Sequence, residues 1–320
     1  VNVGTNAKAG KGEYVVAEAD ESDGSFLQYR PAVAVVTNIE PDHLENYEGD
    51  FNKLKEAYVK FLNNVREGGC AVVCTDDENV RSILPSAPAT RTITYAIDGE
   101  ADYKAANVAL GDRVASFDVL REGRSLGTIR LSVPGRHNVY NALATVVVCL
   151  EAGVEFERIA EAIVEFRGAK RRFQVLGESR DMLVIDDYAH HPTEIEATIL
   201  AAKATGKRII AVFQPQRYTR TFFLLDAFSR AFKDADEVII TDIYSPAGEQ
   251  RIEGVTSQRL VELIAANSNP NVSYVPTKEE VLDLLAAKIA PGDLVLTMGA
   301  GDIWKTADNL ARLLREREEG

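Results

Sequence analysis

The chain has 320 residues, 46% of them apolar, which suits two domains with a core in each. Its net charge of −13 and pI near 4.9 exclude a broadly basic nucleic-acid-binding face, while leaving room for a local basic pocket. No run approaches the roughly 18 apolar residues of a membrane span and no signal-peptide pattern opens the chain, so a cytoplasmic protein without membrane insertion is expected.

Val1 is not a start methionine, and a strand-like run, EYVVAEA (Glu13–Ala19), follows almost at once, so a truncated chain is expected. GTNAKAGKG (Gly4–Gly12) looks like a phosphate-binding loop but has five residues between Gly4 and Gly10 where four are needed. No hydroxyl follows Lys11, so it reads as a turn. EYVVAEA and AVAVVTNI (Ala32–Ile39) are nearly continuous in apolar residues, the pattern of buried parallel strands. EADESDGS (Glu18–Ser25) and TNIEPDHLENY (Thr37–Tyr47) leave these strands. They bring carboxylates and His43 to strand ends, where parallel sheets bind ligands. A carboxylate with a neutral imidazole suits Mg²⁺ or Mn²⁺; two solvated acidic loops would carry the same residues.

A helical pattern follows at Asp50–Asn64, then CAVVC (Cys70–Cys74) as a strand with buried thiols, since zinc sites want closer cysteine pairs with further Cys or His. A short helix is expected near Asp77–Ile83. Alternating short strands with Gly turns between Asp102 and Val133 predict a small antiparallel patch. Helices at His137–Ala152 and Phe156–Phe166 complete the first half. PGRHNVYNALA (Pro134–Ala144) places Asn138 and Asn141 on one face of a helix start, where an Asn can meet an adenine edge or cap the helix.

The second half alternates strands (Met182–Ile185, Arg208–Phe213, Glu237–Thr241, Val272–Val275, Leu294–Thr297) with helices (near Thr193–Ala204, Thr219–Phe232, Ser257–Asn267, Lys278–Lys288, Ile303–Arg317). That alternation predicts a doubly wound parallel sheet. IDDYAHHPTE (Ile185–Glu194) ends a strand and opens a helix, with two adjacent acids (Asp186, Asp187), a tyrosine and two of the four histidines at the junction. FQPQRYTRT (Phe213–Thr221) does the same one unit later with Arg217 and Arg220, which can grip phosphate or carboxylate bidentately or lie solvated on the surface. MGAGDI (Met298–Ile303) lacks the third glycine of a dinucleotide fingerprint and reads as a tight strand-to-helix turn.

Together these segments resemble the Mur ligase family, which adds amino acids to UDP-N-acetylmuramic acid. EADESD, TNIEPDH, GRHNVYNALA, GAKRRF (Gly168–Phe173), DDYAHHPTE and FQPQRYTRT stand in the family's order, across essentially the whole chain. The last two have the form of the L-alanine-adding branch. The tripeptide-recycling branch is similar at DD-x-AHHPT and differs at FQP.

The resemblance implies an α/β chain. Residues 1–166 would be part of a P-loop-type central ATPase domain with an antiparallel patch, lacking the P-loop itself. Residues 167–320 would be a Rossmann-like, doubly wound C-terminal domain. It implies Glu18 and His43 as metal ligands. Asn138, Asn141, Arg171 or Arg172, and Asp187 would serve ATP. Tyr188, His190, Arg217 and Arg220 would lie at the muramoyl and amino-acid end, the last three in the catalytic step. The implied reaction uses ATP, Mg²⁺ or Mn²⁺, UDP-N-acetylmuramic acid and L-alanine. It passes through an acyl phosphate, with the chain alone expected to be inactive and its oligomeric state left open. Several related ligases carry a carbamylated lysine on the helix after the DH motif, where Tyr58 stands here; the L-alanine-adding branch is similar in lacking it. The alternatives are a sister ligase such as the recycling enzyme, and a non-catalytic nucleotide-binding module.

Overall fold

The computed structural model describes residues 7–87, 91–247 and 249–319. The chain divides into two compact units, Val1–Arg167 and Gly168–Gly320, each built around its own sheet. The protein is mixed α/β with two parallel-dominated sheets.

In the first unit six strands lie in sequence order: β1 (Val33–Val36), β2 (Cys70–Cys74), β3 (Thr92–Ala96), β4 (Tyr103–Leu110), β5 (Ala115–Arg121) and β6 (Arg124–Leu131). β1 to β4 run parallel, and β4, β5 and β6 form an antiparallel meander, the patch expected from the Gly-punctuated alternation. CAVVC shows why a parallel strand reads as unbroken apolar sequence. Cys70, Val72 and Cys74 pack with α3 (Arg136–Glu151) and α4 (Phe156–Val164), while Ala71 and Val73 face α1 (Phe51–Asn63) and α2 (Glu78–Ile83). All three cysteines are free, with Cys70 and Cys74 buried as anticipated. Asp50 and Asp77 cap α1 and α2, accepting from Asn52 N–H (2.8 Å) and Val80 N–H (2.7 Å).

The second unit orders its strands β11-β10-β9-β12-β8-β7: β7 (Gln174–Ser179), β8 (Met182–Asp187), β9 (Arg208–Phe213), β10 (Glu237–Ile240), β11 (Val272–Tyr274) and β12 (Asp293–Met298). All pairs are parallel except β7–β8. α5 (Pro192–Lys203), α7 (Leu225–Arg230) and α8 (Ser257–Asn267) cover one face, α6 (Tyr218–Phe223) leads into α7, and α9 (Lys278–Lys288) with α10 (Trp304–Glu319) covers the other. Because β12 returns between β9 and β8, the strand order reverses there, and the carboxyl ends of β8, β9 and β12 flank the switch point. None of the described helices is long and apolar enough to cross a membrane.

Two expectations need correction, and two strands add to those expected. EYVVAEA forms no strand: Val15 and Val16 are 93% and 97% exposed. An apolar pattern records that residues can be buried, but a ladder needs a partner, and β1 pairs only with β2 among the described residues. β3 and β7 exist without having been anticipated. The helix expected over Thr219–Phe232 breaks at Leu224 (φ −109°, ψ 14°) into α6 and α7. Of the GTNAKAGKG turn, Gly4–Asn6 lie outside the described residues, and Ala7–Gly12 are exposed and neither helix nor strand.

Candidate active site

In the first unit the two acidic segments are tied together. Asn46 Nδ2 donates to the Ser22 carbonyl at 2.6 Å and the Tyr47 hydroxyl donates to the Glu21 carbonyl, so EADESD itself lies against the turn after TNIEPDH. His43 adopts a left-handed backbone (φ 54°) and donates its N–H to Asp42 Oδ1 at 2.8 Å; its Nε2 is 3.6 Å from Asp42 Oδ2. Asp20 lies near His43. Its carboxyl is held below the usual range by the Ser22 side chain and N–H, with His43 adding to this. Glu18 is exposed on the extended segment that precedes this loop. Among the described residues no three His, Cys, Asp or Glu side chains converge as a metal cluster. A carboxylate and an imidazole would thus be a partial ligand set. This suits Mg²⁺, which commonly takes one or two protein groups and completes its octahedron with phosphate and water.

α3 begins at Gly135 (φ 94°), whose position against the His137 ring leaves no room for a Cβ. Asn138 Nδ2 donates to the Pro134 carbonyl at 2.6 Å and approaches His137 Nε2 at 3.1 Å, fastening the loop to the helix. Asn141, one turn on, is exposed. Tyr58, where a lysine stands in several related ligases, packs edge-on against Phe26 with ring centroids 5.5 Å apart, and burial raises its hydroxyl pKa.

In the second unit the chain after β8 gathers a cluster. Glu194 accepts from His190 N–H (2.9 Å) and His191 N–H (3.2 Å), and pairs with Arg172 at 3.1 Å. Burial pushes the Glu194 carboxyl up, but the neighbouring His190 and Arg172, with these hydrogen bonds, bring it below the usual range. His190 Nδ1 lies 2.9 Å from the Tyr188 carbonyl and 3.4 Å from Glu194 Oε2, and its ring meets Tyr188 edge-on. Both Arg171 and Arg172 stand over the Tyr188 ring, at 4.9 and 5.6 Å.

Arg171 and Arg172 are adjacent but do different things. Arg171, with φ 57°, donates Nε to Asp186 Oδ2 (2.9 Å), one terminal nitrogen to the Gly299 carbonyl (2.6 Å) and the other to the Gly301 carbonyl (3.1 Å). Asp186 is 1% exposed and its second oxygen accepts from Thr297 Oγ1 at 2.7 Å. Arg171 is therefore a strut between β8 and the turn after β12. Arg172 is half exposed and is the member of the pair open to a ligand. Asp187, 5% exposed, turns inward: its oxygens accept from Phe173 N–H (2.7 Å) and Ala189 N–H (2.8 Å), and burial pushes its carboxyl up to about 6 against these amides.

After β9, Arg217 takes a left-handed backbone (φ 69°) and donates its N–H to the Tyr244 carbonyl at 2.9 Å. Arg220, on α6 and 5% exposed, donates to Gln216 Oε1 and is buried rather than on the rim. Glu249 braces α6, accepting from Thr219 N–H (3.2 Å), Thr219 Oγ1 (3.1 Å) and Ser245 Oγ (2.8 Å). The turn after β12 packs on Gln214, whose Oε1 accepts from Asp302 N–H (2.9 Å) and Ile303 N–H (3.1 Å). A Cβ at Gly299 or Gly301 would meet Gln214 atoms at 2.7 and 2.3 Å. MGAGDI is thus a close-packed turn, as its sequence suggests. Asp186, Glu194 and Gln214 were not singled out from sequence; the His190/Glu194 spacing of four at a helix start was the available signal for one of them.

A model of the Mur ligase middle domain matches residues 4–149, and one described as Mur ligase, glutamate ligase domain, matches residues 171–301. The UDP-N-acetylmuramate–L-alanine ligase of Symbiobacterium thermophilum is 48% identical over 320 residues, covering 98% of this chain and 66% of the relative. That of Pelotomaculum thermopropionicum is 50% identical over 319 residues, covering 99% and 68%. Among solved structures, a UDP-N-acetylmuramate-alanine ligase from Thermotoga maritima superposes with TM-score 0.74 at 25% identity, over 94% of this chain and 63% of that one. MurF from Acinetobacter baumannii shares the fold with TM-score 0.73 at 20% identity, over 92% and 62%. The chain spans about two thirds of the length of the relatives it matches. With both family domains in order and about half of its residues identical to those relatives, the chain belongs to the Mur ligase family.

Proposed function

We propose that the protein carrying this chain joins L-alanine to UDP-N-acetylmuramic acid at the expense of ATP, in the cytoplasm, as a step in peptidoglycan precursor synthesis. The observation that carries this reading is the identity of 48–50% to UDP-N-acetylmuramate–L-alanine ligases across 98–99% of the chain. The exposed Arg172 and the His190–Glu194 cluster at the carboxyl end of a parallel sheet agree with it.

The muramoyl lactoyl carboxylate attacks the ATP γ-phosphorus, forming an acyl phosphate as ADP leaves. The L-alanine amine then attacks the acyl carbon, phosphate departs, and the amine loses a proton. A divalent cation, held by Glu18 and His43 on this chain, would neutralise phosphoryl oxygens in the first step. Asn138 and Asn141 would read the adenine edge, and Arg172 would approach the phosphates. Asp187 would act at the ribose end of the ATP site mainly by holding its loop. Tyr188 offers a ring beside Arg171 and Arg172.

His190 has a role that its hydrogen bond suggests. With Nδ1–H donated to the Tyr188 carbonyl, the neutral ring carries its lone pair on Nε2, the atom suited to take the proton released by the attacking amine. Arg217 would steady a substrate carboxylate with its two-pronged guanidinium, and Arg220 would hold the Arg217 loop in place from within. The test is a phosphate-release assay on the full gene product with ATP, Mg²⁺ and UDP-N-acetylmuramic acid. Release should require an amino acid, with L-alanine preferred over glycine and over a tripeptide, and a product of the ligated mass should appear. Preference for the tripeptide, or release indifferent to the amino acid, would overturn the assignment.

A further inference from the structure

β2 is followed, after Thr75, by two aspartates that point to different tasks. Asp77 caps α2. Asp76 turns to the other side and fills its acceptor capacity with one loop and one side chain. Oδ2 accepts from Ile97 N–H (2.7 Å), Asp98 N–H (2.9 Å) and the Tyr140 hydroxyl (2.8 Å), and Oδ1 accepts from Gly99 N–H (2.7 Å). The loop so held presents Asp98, whose Oδ1 accepts from Arg136 at 2.6 Å, and Arg136 lies 5.9 Å over the Tyr140 ring. The opening turn of α3 is therefore fastened at Arg136 and at Tyr140. These flank Asn138, and Asn141 follows directly.

We propose that Asp76 is a positioning residue for the nucleotide base, setting Asn138 and Asn141 through the Tyr140 hydroxyl and the Ile97–Gly99 loop. The proposal rests on the reading of those two asparagines as adenine contacts. The body of α3 does not need this clamp. Val139, Leu143, Val146 and Val147 are fully buried in the core of the unit and hold the helix by packing. What the clamp adds is the placement of the first turn, where a shift of about 1 Å weakens a two-point hydrogen bond to a base by on the order of a hundredfold at most. Burial works to raise the Asp76 pKa, yet the three amides and the phenol keep it below the usual carboxylate range, so the clamp stays charged at neutral pH.

The experiment uses the full gene product with Asp76→Asn, Tyr140→Phe, Asn138→Ala and Asn141→Ala, and compares ATP with GTP. Tyr140→Phe removes one hydroxyl and keeps the ring, so it decides the question even if Asp76→Asn folds poorly. The expected result for both clamp variants is a KM for ATP raised about tenfold and a narrowed preference for ATP over GTP. Their kcat should stay within about threefold, with an unchanged KM for the sugar nucleotide. Adding Asn138→Ala to Tyr140→Phe should then cost less than the sum of the two, because the clamp acts through the asparagine. Unchanged KM for ATP and base preference in both clamp variants, or a lowered melting temperature with neither altered, overturns the proposal alone. If Asn138→Ala and Asn141→Ala leave the base preference intact, the adenine reading falls and the proposal with it.

Discussion

Arg171 and Arg172 share a sequence context and a ring neighbour, yet the structure gives them different energetics. Arg171 is the partner of a carboxylate that is 1% exposed, so its removal strands a buried charge and frees two carbonyls of the Gly299–Gly301 turn. Breaking such a pair costs about 3–5 kcal/mol, whereas the half-exposed Arg172–Glu194 pair is worth about 1 kcal/mol or less. Arg171→Ala should accordingly lower the urea midpoint strongly. Arg172→Ala should leave stability nearly intact while reducing ligase efficiency about tenfold or more in the full gene product. Equal destabilisation by the two, or full activity in Arg172→Ala, would contradict the division of roles.

Asp187 makes a pH prediction at the same scale. Burial raises its carboxyl from the ordinary value near 4 to about 6. A raised folded pKa means the native state holds the proton more tightly than the unfolded chain does. Its contribution is present below pH ~4 and is lost as pH rises through about 6, amounting to on the order of 3 kcal/mol. Asp187→Asn cannot titrate, so the fall in unfolding free energy between pH 4 and pH 7 should be shallower in the variant than in the parent. Identical slopes would mean that Asp187 does not titrate in this window.

At the scale of elements, the turn after β12 depends on having no side chain where it packs on Gln214 and Tyr244. A Cβ on Gly301 would stand 2.3 Å from Gln214 Oε1 and 2.7 Å from the Tyr244 ring, and Gln214 Oε1 is already committed to two amides at the α10 start. Gly301→Ala should therefore destabilise by about 1–3 kcal/mol through overpacking, read by thermal melting. Gly292→Ala serves as a contrast, since only its φ of 91° and no neighbour resists a Cβ. A loss at Gly301 no larger than at Gly292 would reduce the effect to backbone strain alone.

Elements were legible where pattern and chemistry were both local. β9, α8 and α9 lie where their periodicity places them, because each has caps or turns at its ends and a single apolar face or run. β7 escaped notice because it is an antiparallel edge strand with Gly177 inside it and Val175 half exposed, so it lacks the unbroken apolar run of its neighbours. β3 is five residues of TITYA, too short for its alternation to stand out. The candidate site was legible as motifs at strand ends but not as side-chain directions. Nothing in the string GAKRRF announces that a left-handed Arg171 faces the sheet while Arg172 faces out. Likewise, nothing in FQPQRYTRT announces that Arg220 is buried and Arg217 is not.

At the scale of the whole molecule, the second unit carries everything a domain needs. Its sheet is covered on both faces by helices of the same unit. The two apolar clusters, one around Ile185, Phe213 and Phe228 and the other around Val184, Val212 and Leu310, draw only on residues from Phe173 onward. The charges at the amino ends of its strands are also internally answered: Arg208 pairs with Glu237 (2.9 Å) and with the buried Asp293 (3.2 Å), and Lys288 pairs with Glu237. A domain with its own core folds alone, with an unfolding free energy of about 5–15 kcal/mol. Gly168–Gly320 expressed by itself should therefore be soluble and helical. It should unfold in one cooperative urea transition, with coincident fluorescence and circular-dichroism midpoints. A broad, non-coincident transition or dye binding typical of a molten state would show that the second unit borrows its stability from the first.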